Sequence, residues 1–323
     1  MAAANNTSNT SAVIKAQVYS NFILKAIQDG LLPEGFHRDV SDFGDGETLF
    51  IPVIGETVIR DVTVENEPVQ YDPIDSGQVQ LTINRFKSGA TSVSGKLKDD
   101  AYALAAIEAE IPGQHLRKIK EAYETDLLSQ AQKQTLGNPN VINSFAHRWV
   151  AYNGSSNVIS VDDFIYAKLS MDKAGVPGEG RVAVVDAVVE ATLNKLAGTK
   201  AFEASPRWEG TLTEGFAKNN KFLYNILGFD VYVSDRLGRI ASETINGGPA
   251  GNQSITDGVA NVFMSVLDDQ HKPFMGAWRR MPQTHGEYNK DKDQDEYVTY
   301  ARWGFGKQRD DTLITVITSA TAY

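Results

Sequence analysis

The sequence predicts an α+β fold, and three observations lead there. Leu116, Ile119, Tyr123, Leu127 and Ala131 recur at helical spacing within a long stretch from Gln114 to Leu136. Between Glu56 and Gly95 the chain becomes a polar ribbon in which Val79, Leu81 and Ile83 alternate strictly with Gln80, Thr82 and Asn84. The C-terminal third is rich in strand-forming runs, Glu296 to Phe305 and Leu313 to Thr318 among them. The composition is globular: 41% of the 323 residues are hydrophobic and 22% charged. With 41 acidic against 31 basic residues the net charge is −10, which leaves no basic footprint for nonspecific duplex binding. The absence of cysteine removes disulfides, thiolate metal sites and cysteine nucleophiles. Apolar runs such as Val182 to Val185 are too short to span a bilayer as a helix, and no secretory signal is readable at the N-terminus.

In chain order, Met1 to Ser11 is almost all Ala, Asn, Thr and Ser and reads as a flexible tail. Val18, Phe22, Ile23 and Ile27 form a stripe that predicts a helix over Val13 to Asp29, stopped at Gly30. Gly44-Asp45-Gly46 signals a turn, and Thr48 to Ile54 a strand that Pro52 confines to an edge or an end. The ribbon that follows turns at Glu65-Asn66-Glu67-Pro68 and at Asp72-Pro73-Ile74-Asp75-Ser76-Gly77. It offers few apolar side chains for its length. A two-stranded hairpin is marginal alone in water, so the ribbon is expected to lean on the rest of the chain or on another copy.

Lys98 to Ile111 has a helical pattern, and Pro112-Gly113 is expected to break it before the longer helix to Leu136. The next segment alternates α and β. Ser160 and Asp163 form a capping-box variant opening a helix in which Val161, Ile165 and Leu169 share a face. Arg181 to Asp186 reads as a buried strand, Val188 to Leu196 as a helix, Phe229 to Ser234 and Val259 to Leu267 as strands, and Gly247 to Gly251 as a loop. Gly306 to Asp311 is read as a hairpin turn between the last two strands.

No motif for chemistry survives inspection. Asp291, Asp293 and Asp295 open like a calcium loop, but Glu296 and Arg302 stand where Gly and Glu are required, so a solvated acidic turn is expected. His37, His115, His147, His271 and His285 show no zinc spacing. Gly178-Glu179-Gly180 lacks a third glycine, having Ala183 there, and precedes a strand instead of a helix. There is neither a phosphate-binding loop nor a G-x-S-x-G elbow. Arg279-Arg280 beside Trp278 is a basic-aromatic cluster, read either as contact with phosphate or an acidic partner or as ordinary surface pairing.

The order of elements carries a resemblance. Leu49-Phe50-Ile51-Pro52-Val53-Ile54-Gly55 resembles the strand before the extended loop of tailed-phage major capsid proteins, and Ile83-Asn84-Arg85-Phe86-Lys87 resembles its return strand. Asp99-Asp100-Ala101-Tyr102 with the helix after Pro112 is similar to the paired helices of short-tailed phage coats. Gly178 to Val185 and Leu227 to Ser234 are similar to two strands of the same family. Arg302-Trp303-Gly304-Phe305-Gly306-Lys307-Gln308-Arg309 resembles its closing hairpin, with Trp303 in place of Tyr.

The resemblance implies the Hong Kong-type phage capsid fold: an N-terminal arm over 1–46, an extended loop with flanking strands over 47–95, a peripheral domain with its spine helix over 96–159, an axial domain over 160–260, and terminal strands over 261–323 returning to the peripheral domain. It places inter-subunit contacts at Pro68, Tyr71, Pro73, Ile74 and Gly77, the spine at Leu116, Ile119, Tyr123 and Leu127, and a candidate hinge at Pro112 and Gly113. It implies no catalytic role, no cofactor and no metal. The expected assembly is a homo-oligomer of hexamers and pentamers in an icosahedral virion shell, put together in the host cytoplasm and free of membrane. That shell would enclose double-stranded DNA without sequence-specific binding. A portal protein, a separate scaffolding protein and decoration proteins are the expected partners. Relatives that cross-link their loops use Lys and Asn; Lys87 and Lys96 lie nearby, but no partner is identifiable, so no cross-link is expected. Two other readings stay open at this point: a bacterial encapsulin-type nanocompartment shell, and an acid-base hydrolase acting through its carboxylates.

Overall fold

A strand with apolar side chains on both of its faces must be covered on both. In the computed structural model all five residues of Arg181–Val185 are buried, at the centre of a seven-stranded sheet. The structure describes residues 32, 35–41, 46–55, 59, 61, 71, 73, 76–100, 104–133, 137–151, 157–197 and 222–323. The expected helix over Val13 to Asp29 and the positions Pro68 and Ile74 lie outside the described residues.

The elements begin with a short strand β1 (Arg38–Asp39), a hairpin of β2 (Thr48–Ile54) and β3 (Ser76–Thr82), and β4 (Arg85–Ser94). Helices α1 (Gly95–Asp100) and α2 (Leu104–Leu128) follow, the latter continued by a 3-10 turn over Ser129–Lys133. Short strands β5 (Val141–Ile142), β6 (Phe145–Ala146) and β7 (Arg148–Val150) lead to α3 (Val161–Lys173), β8 (Arg181–Val185) and α4 (Ala187–Ala197). The rest is strand: β9 (Phe222–Ile226), β10 (Phe229–Val233), β11 (Arg239–Gly248), β12 (Gly251–Ser265), β13 (Phe274–Asn289), β14 (Gln294–Lys307) and β15 (Leu313–Ser319).

Two sheets organise the molecule. The seven-stranded sheet runs β7-β15-β12-β8-β10-β9, with β11 also paired to β12; the other runs β1-β13-β14-β4. On one face of the larger sheet, Ala183 and Val185 meet Phe164, Ala167 and Met171 of α3 and Val189 and Leu193 of α4. On the opposite face, Val182 and Val184 meet Leu127, Leu128 and Ala131 from the end of α2. One turn and more earlier, Ile119 and Tyr123 of α2 pack on Ala301, Trp303, Trp278 and Phe305 of the smaller sheet. A single helix is therefore the shared wall of both.

Four expectations need correction. Pro112 does not break the helix, because α2 runs through it from Leu104 to Leu128. Proline only removes one N–H, and the flanking side chains Ile111 and Ile119 are buried, so packing outweighs local propensity. Leu116, expected on the buried stripe, is 40% exposed, whereas Ile119 and Leu127 are buried. In α3, Val161, Ile165 and Leu169 do share a face, but Ile165 and Leu169 are exposed, and Phe164, Ala167 and Met171 form the buried side. Finally, Gly306 to Asp311 is not a hairpin turn. β14 pairs with β13 and β4, β15 with β12 and β7, so the segment crosses between sheets. Other expectations held: the Asp163 carboxylate accepts the Ser160 N–H at 2.8 Å, and residues 290–293 turn between β13 and β14.

A buried ion pair pins β7 to β11. Arg148 donates to Glu243 from both terminal nitrogens, at 2.5 and 2.6 Å, and Glu243 also accepts the Gly137 N–H at 2.7 Å. Burial pushes the Glu243 carboxyl up, but the bonds from Arg148 and Gly137 outweigh it and hold the group below its ordinary value. The stability it contributes is thus present above the unfolded carboxyl value of about 4.3 and is lost as pH falls through the lower, folded value.

Two outcomes follow for stability. Leu127→Asp puts an unpaired charge between the two sheets and should yield insoluble protein, while Leu116→Asp on the same helix should remain soluble and folded by circular dichroism. Glu243→Gln strands the Arg148 charge and should cost about 3–5 kcal/mol in denaturant unfolding at neutral pH, with less of the acid-side loss of stability that the native protein shows.

Candidate assembly surfaces

The apolar content of the β2–β3 hairpin is concentrated at its base. Leu49 pairs with Leu81, Ile51 with Val79, and Val53 with Gly77. Leu81 is fully buried, Leu49, Ile51 and Val79 are half-buried, and Val53 is exposed. The base packs on Met275 and Ala277 of β13. It lies close over β14, where a Cβ on Gly304 would sit 2.4 Å from the Thr82 carbonyl oxygen, so only glycine lets the two backbones approach. Ile59 is 92% exposed and Tyr71 93% exposed, and Pro73 and Gly77 are exposed as well. Of the expected contact set, Tyr71, Pro73 and Gly77 are thus exposed, Gly77 at the paired end of β3.

Helix α2 brings together three of the four expected spine residues. Ile119 and Leu127 are buried, and Tyr123 stacks on Trp278 with ring centroids 4.2 Å apart. The Tyr123 hydroxyl bonds the His37 ring at 2.8 Å, and burial pushes it well above the ordinary phenol value. Polar ties complete the wall. Glu124 accepts from the Ser234 hydroxyl at 2.9 Å and from the Leu32 N–H at 3.2 Å, and Asp126 accepts from the Trp303 indole N–H at 3.1 Å. Sequence reasoning missed Glu124 and Asp126, because their partners lie 110 and 177 residues away.

The titratable groups read as structural. His115 bridges Thr91 at 2.8 Å and Thr299 at 3.3 Å, wedged between α2 and the smaller sheet. Burial pushes the His147 ring down, against the Phe145 carbonyl and the charges of Asp311 and Asp310 that push it up, which favours the neutral form. Burial likewise raises Asp163, although the Trp149 indole and Ser160 donate to it. Among the described residues no three His, Asp or Glu side chains are placed to hold a metal, and no helix is long and apolar enough to cross a membrane. Asp293 and Asp295 are occupied instead: Asp293 accepts the Tyr288 hydroxyl at 2.8 Å, and Asp295 pairs with Lys98.

On the smaller sheet, the face away from α2 carries a cluster that the sequence did not single out as one. Phe86, 61% exposed, stacks on Tyr300 at 5.8 Å, and the Arg280 guanidinium lies over the same ring at 5.3 Å. Arg280 also bonds the His285 ring at 3.3 Å, and Arg302 pairs with Glu47 at 3.4 Å. The strand alternation of β4 and β14 places Phe86, Tyr300 and Arg302 together, but their register is not recoverable before the strands are paired.

Comparison with known proteins agrees with this architecture. A family profile described as phage capsid protein matches residues 78–316. No curated protein matches the chain in sequence. Among solved structures, the chain is similar to the mature capsid of bacteriophage PhiM1, at 13% identity and a TM-score of 0.69, over 98% of this chain and 96% of that one. It is similar to the capsid of cyanophage P-SCSP1u at 12% identity and a TM-score of 0.67, over 95% and 93% of the two chains. The capsid of Ralstonia phage GP4 matches at 12% identity and a TM-score of 0.63, over 99% of both. These likenesses carry the fold, and the family match favours the phage shell over the nanocompartment and the hydrolase. With two sheets locked on one spine helix and a hairpin seated on the smaller sheet, this chain belongs to the phage capsid protein family: a non-enzymatic structural subunit of a virion shell, built on the Hong Kong-type fold and assembling with copies of itself.

Proposed function

We propose that this subunit forms the hexamers and pentamers of an icosahedral shell around double-stranded DNA, and that its β2–β3 ribbon lies across a neighbouring copy. The single observation that carries the ribbon's role is the exposure of the apolar side chains Ile59 and Tyr71 between its two strands. Exposed apolar side chains on a two-stranded ribbon gain burial only against another surface. Repeated contacts of this heterologous kind close into rings, and many weak contacts give collective stability. A net charge of −10 supports loose adhesion to packaged DNA.

In this reading residues 1–46 are the N-terminal arm, 47–95 the extended loop with its strands, 96–159 the peripheral domain, and 160–260 the axial domain around the symmetry axes. Of the terminal segment 261–323, β13 and β14 lie beside the spine, in keeping with a return to the peripheral part, whereas β15 pairs within the larger sheet. A portal protein, a separate scaffolding protein and decoration proteins are the proposed partners, with assembly in the host cytoplasm. Pro112 and Gly113 are the proposed hinge. Proline leaves the Glu108 carbonyl without its helical N–H, a weak link in an otherwise continuous rod, and supports bending when a precursor shell expands.

Deletion of residues 68–77 removes the two outermost pairs of the hairpin, at Ser76 and Gly77, but keeps the Leu49–Leu81 and Ile51–Val79 pairs, and should give a folded monomer with native circular dichroism that makes few or no shells by electron microscopy. Normal particle yield would remove the loop from the assembly. Pro112→Ala should stabilise α2, raising the melting temperature, and should give precursor particles that resist expansion in cryo-electron microscopy. Unchanged expansion would leave Pro112 a mere irregularity of the helix.

A further inference from the structure

Asparagine is a thermally labile residue, and it is most so before glycine. The glycine backbone nitrogen can close on the asparagine side-chain carbon, and without a Cβ it puts nothing in the way. The chain has two such pairs, Asn153-Gly154 and Asn246-Gly247. The first lies outside the described residues. The second sits near the tip of the β11–β12 hairpin. There Ile245 pairs with Gln253 and Gly248 with Gly251, so Asn246 and Gly247 together face the single residue Asn252. This step of two residues against one is a β-bulge, and it takes the pair out of the regular ladder. Asn246, Gly247 and Asn252 are all exposed to water. Gly247 has a φ of +96°, and a Cβ placed on it would find only the Pro139 ring, at 3.8 Å. Other asparagines are held. Asn143, which precedes the small Ser144, donates its amide to the Lys173 carbonyl at 2.9 Å. Asn225 donates to Asp230 at 2.8 Å, and the buried Asn261 donates to the Val316 carbonyl at 3.1 Å and the Thr318 hydroxyl at 2.8 Å. The Asn246 amide makes no hydrogen bond to the described residues.

We propose that Asn246 is a site of spontaneous deamidation, and that Asn252 slows it. The Gly247 nitrogen forms a bond to Cγ of Asn246. The Cγ–Nδ2 bond breaks, and the amide nitrogen leaves as ammonia with the proton that Gly247 gives up. Water then opens the resulting cyclic imide at either carbonyl, leaving aspartate or its β-linked isomer. The step needs only this chain and water, and it does not depend on how copies of the subunit meet. The attacking nitrogen must lose its proton, and the Gly247 N–H is held by the Asn252 side-chain oxygen at 3.2 Å. That bond is forfeited when the proton leaves, so it acts as a brake with the net weight of one hydrogen bond. No charged residue lies between Thr244 and Ser254, so the product is the first carboxylate on this tip. The β-linked form adds one carbon to the main chain, which the existing bulge absorbs while the Ile245–Gln253 pair and the strands beyond it stay in register. A subunit therefore gains charge with age and keeps its fold.

The test is a time course of the full-length protein kept warm in mildly alkaline buffer and mapped by peptide mass spectrometry. The peptide holding Asn246 should convert into two isomeric acidic forms, faster as pH rises. In heavy-oxygen water each product should carry one heavy oxygen, which marks the hydrolysed imide. Asn143 and Asn261 should stay intact over the same period. Asn252→Ala should convert about two- to tenfold faster, as the loss of one hydrogen bond implies. Asn252→Asp keeps an acceptor oxygen and should stay as slow as the native chain. Asn246→Gln, whose ring closure is disfavoured, should abolish the charge gain at this tip with an unchanged melting temperature. An Asn246 that persists throughout, or that outlasts Asn143, would overturn the proposal. Equal rates in Asn252→Ala and the native protein would remove the brake. A fast Asn252→Asp would assign the effect to a loosened tip, and would remove it as well.

Discussion

Everything in this fold depends on α2 serving two sheets at once. Its middle, at Ile119 and Tyr123, is covered by the smaller sheet, and its end, at Leu127 and Leu128, by the larger one. Because the two contacts are about two turns apart on one rod, the relative placement of the sheets is fixed by helical geometry instead of by a loop. The polar ties at Glu124 and Asp126 fall between these apolar contacts and add direction to them. A shell subunit needs such rigidity in its body if its protruding parts are to meet their neighbours at reproducible angles.

The larger sheet takes its order from the same economy of surface. Strands β8, β12 and β15 are apolar on both sides, so they occupy the interior of the sheet with α3 and α4 on one face and α2 on the other. Arg148 and Glu243 are the exception, a charged pair inside that framework. Its value is better understood as selecting the position of β11 against β7 than as net stabilisation, since apolar replacements of such pairs commonly stabilise as well or better.

Much of this was legible in the sequence where periodicity was strong. Arg181 to Asp186, the helix after Ser160 and the strict alternation before Ile83 all announced their elements, and the last supplied both the ribbon and its need for a partner. Less was legible where tertiary contacts overrode local signals. Pro112 looked like a stop because its neighbours' burial cannot be read from propensity. The stripe Val161, Ile165, Leu169 was as regular as the buried one, and only the position of β8 and β15 decides which face of α3 is inside. Strand β13 was hidden by Pro282, by two shifts in its register and by its polar outer residues. β11 was masked by Glu243, whose charge makes sense only once Arg148 is beside it. The Phe86–Tyr300–Arg280 cluster joins β4 to the neighbouring strands β13 and β14, far apart in the chain, and no local pattern links them.

The seating of the ribbon on Gly304 has a consequence for how the particle tolerates change. The contact there is main chain on main chain, against Thr82 and Ile83, so it acts as a fulcrum whose height is set by backbone and not by the side chains of the ribbon. Substitutions along the arm can therefore drift in shape and polarity without changing the pitch at which it springs from the body, whereas one methyl group at this pivot would tilt the whole lever and misalign its far end by a distance that grows with its length.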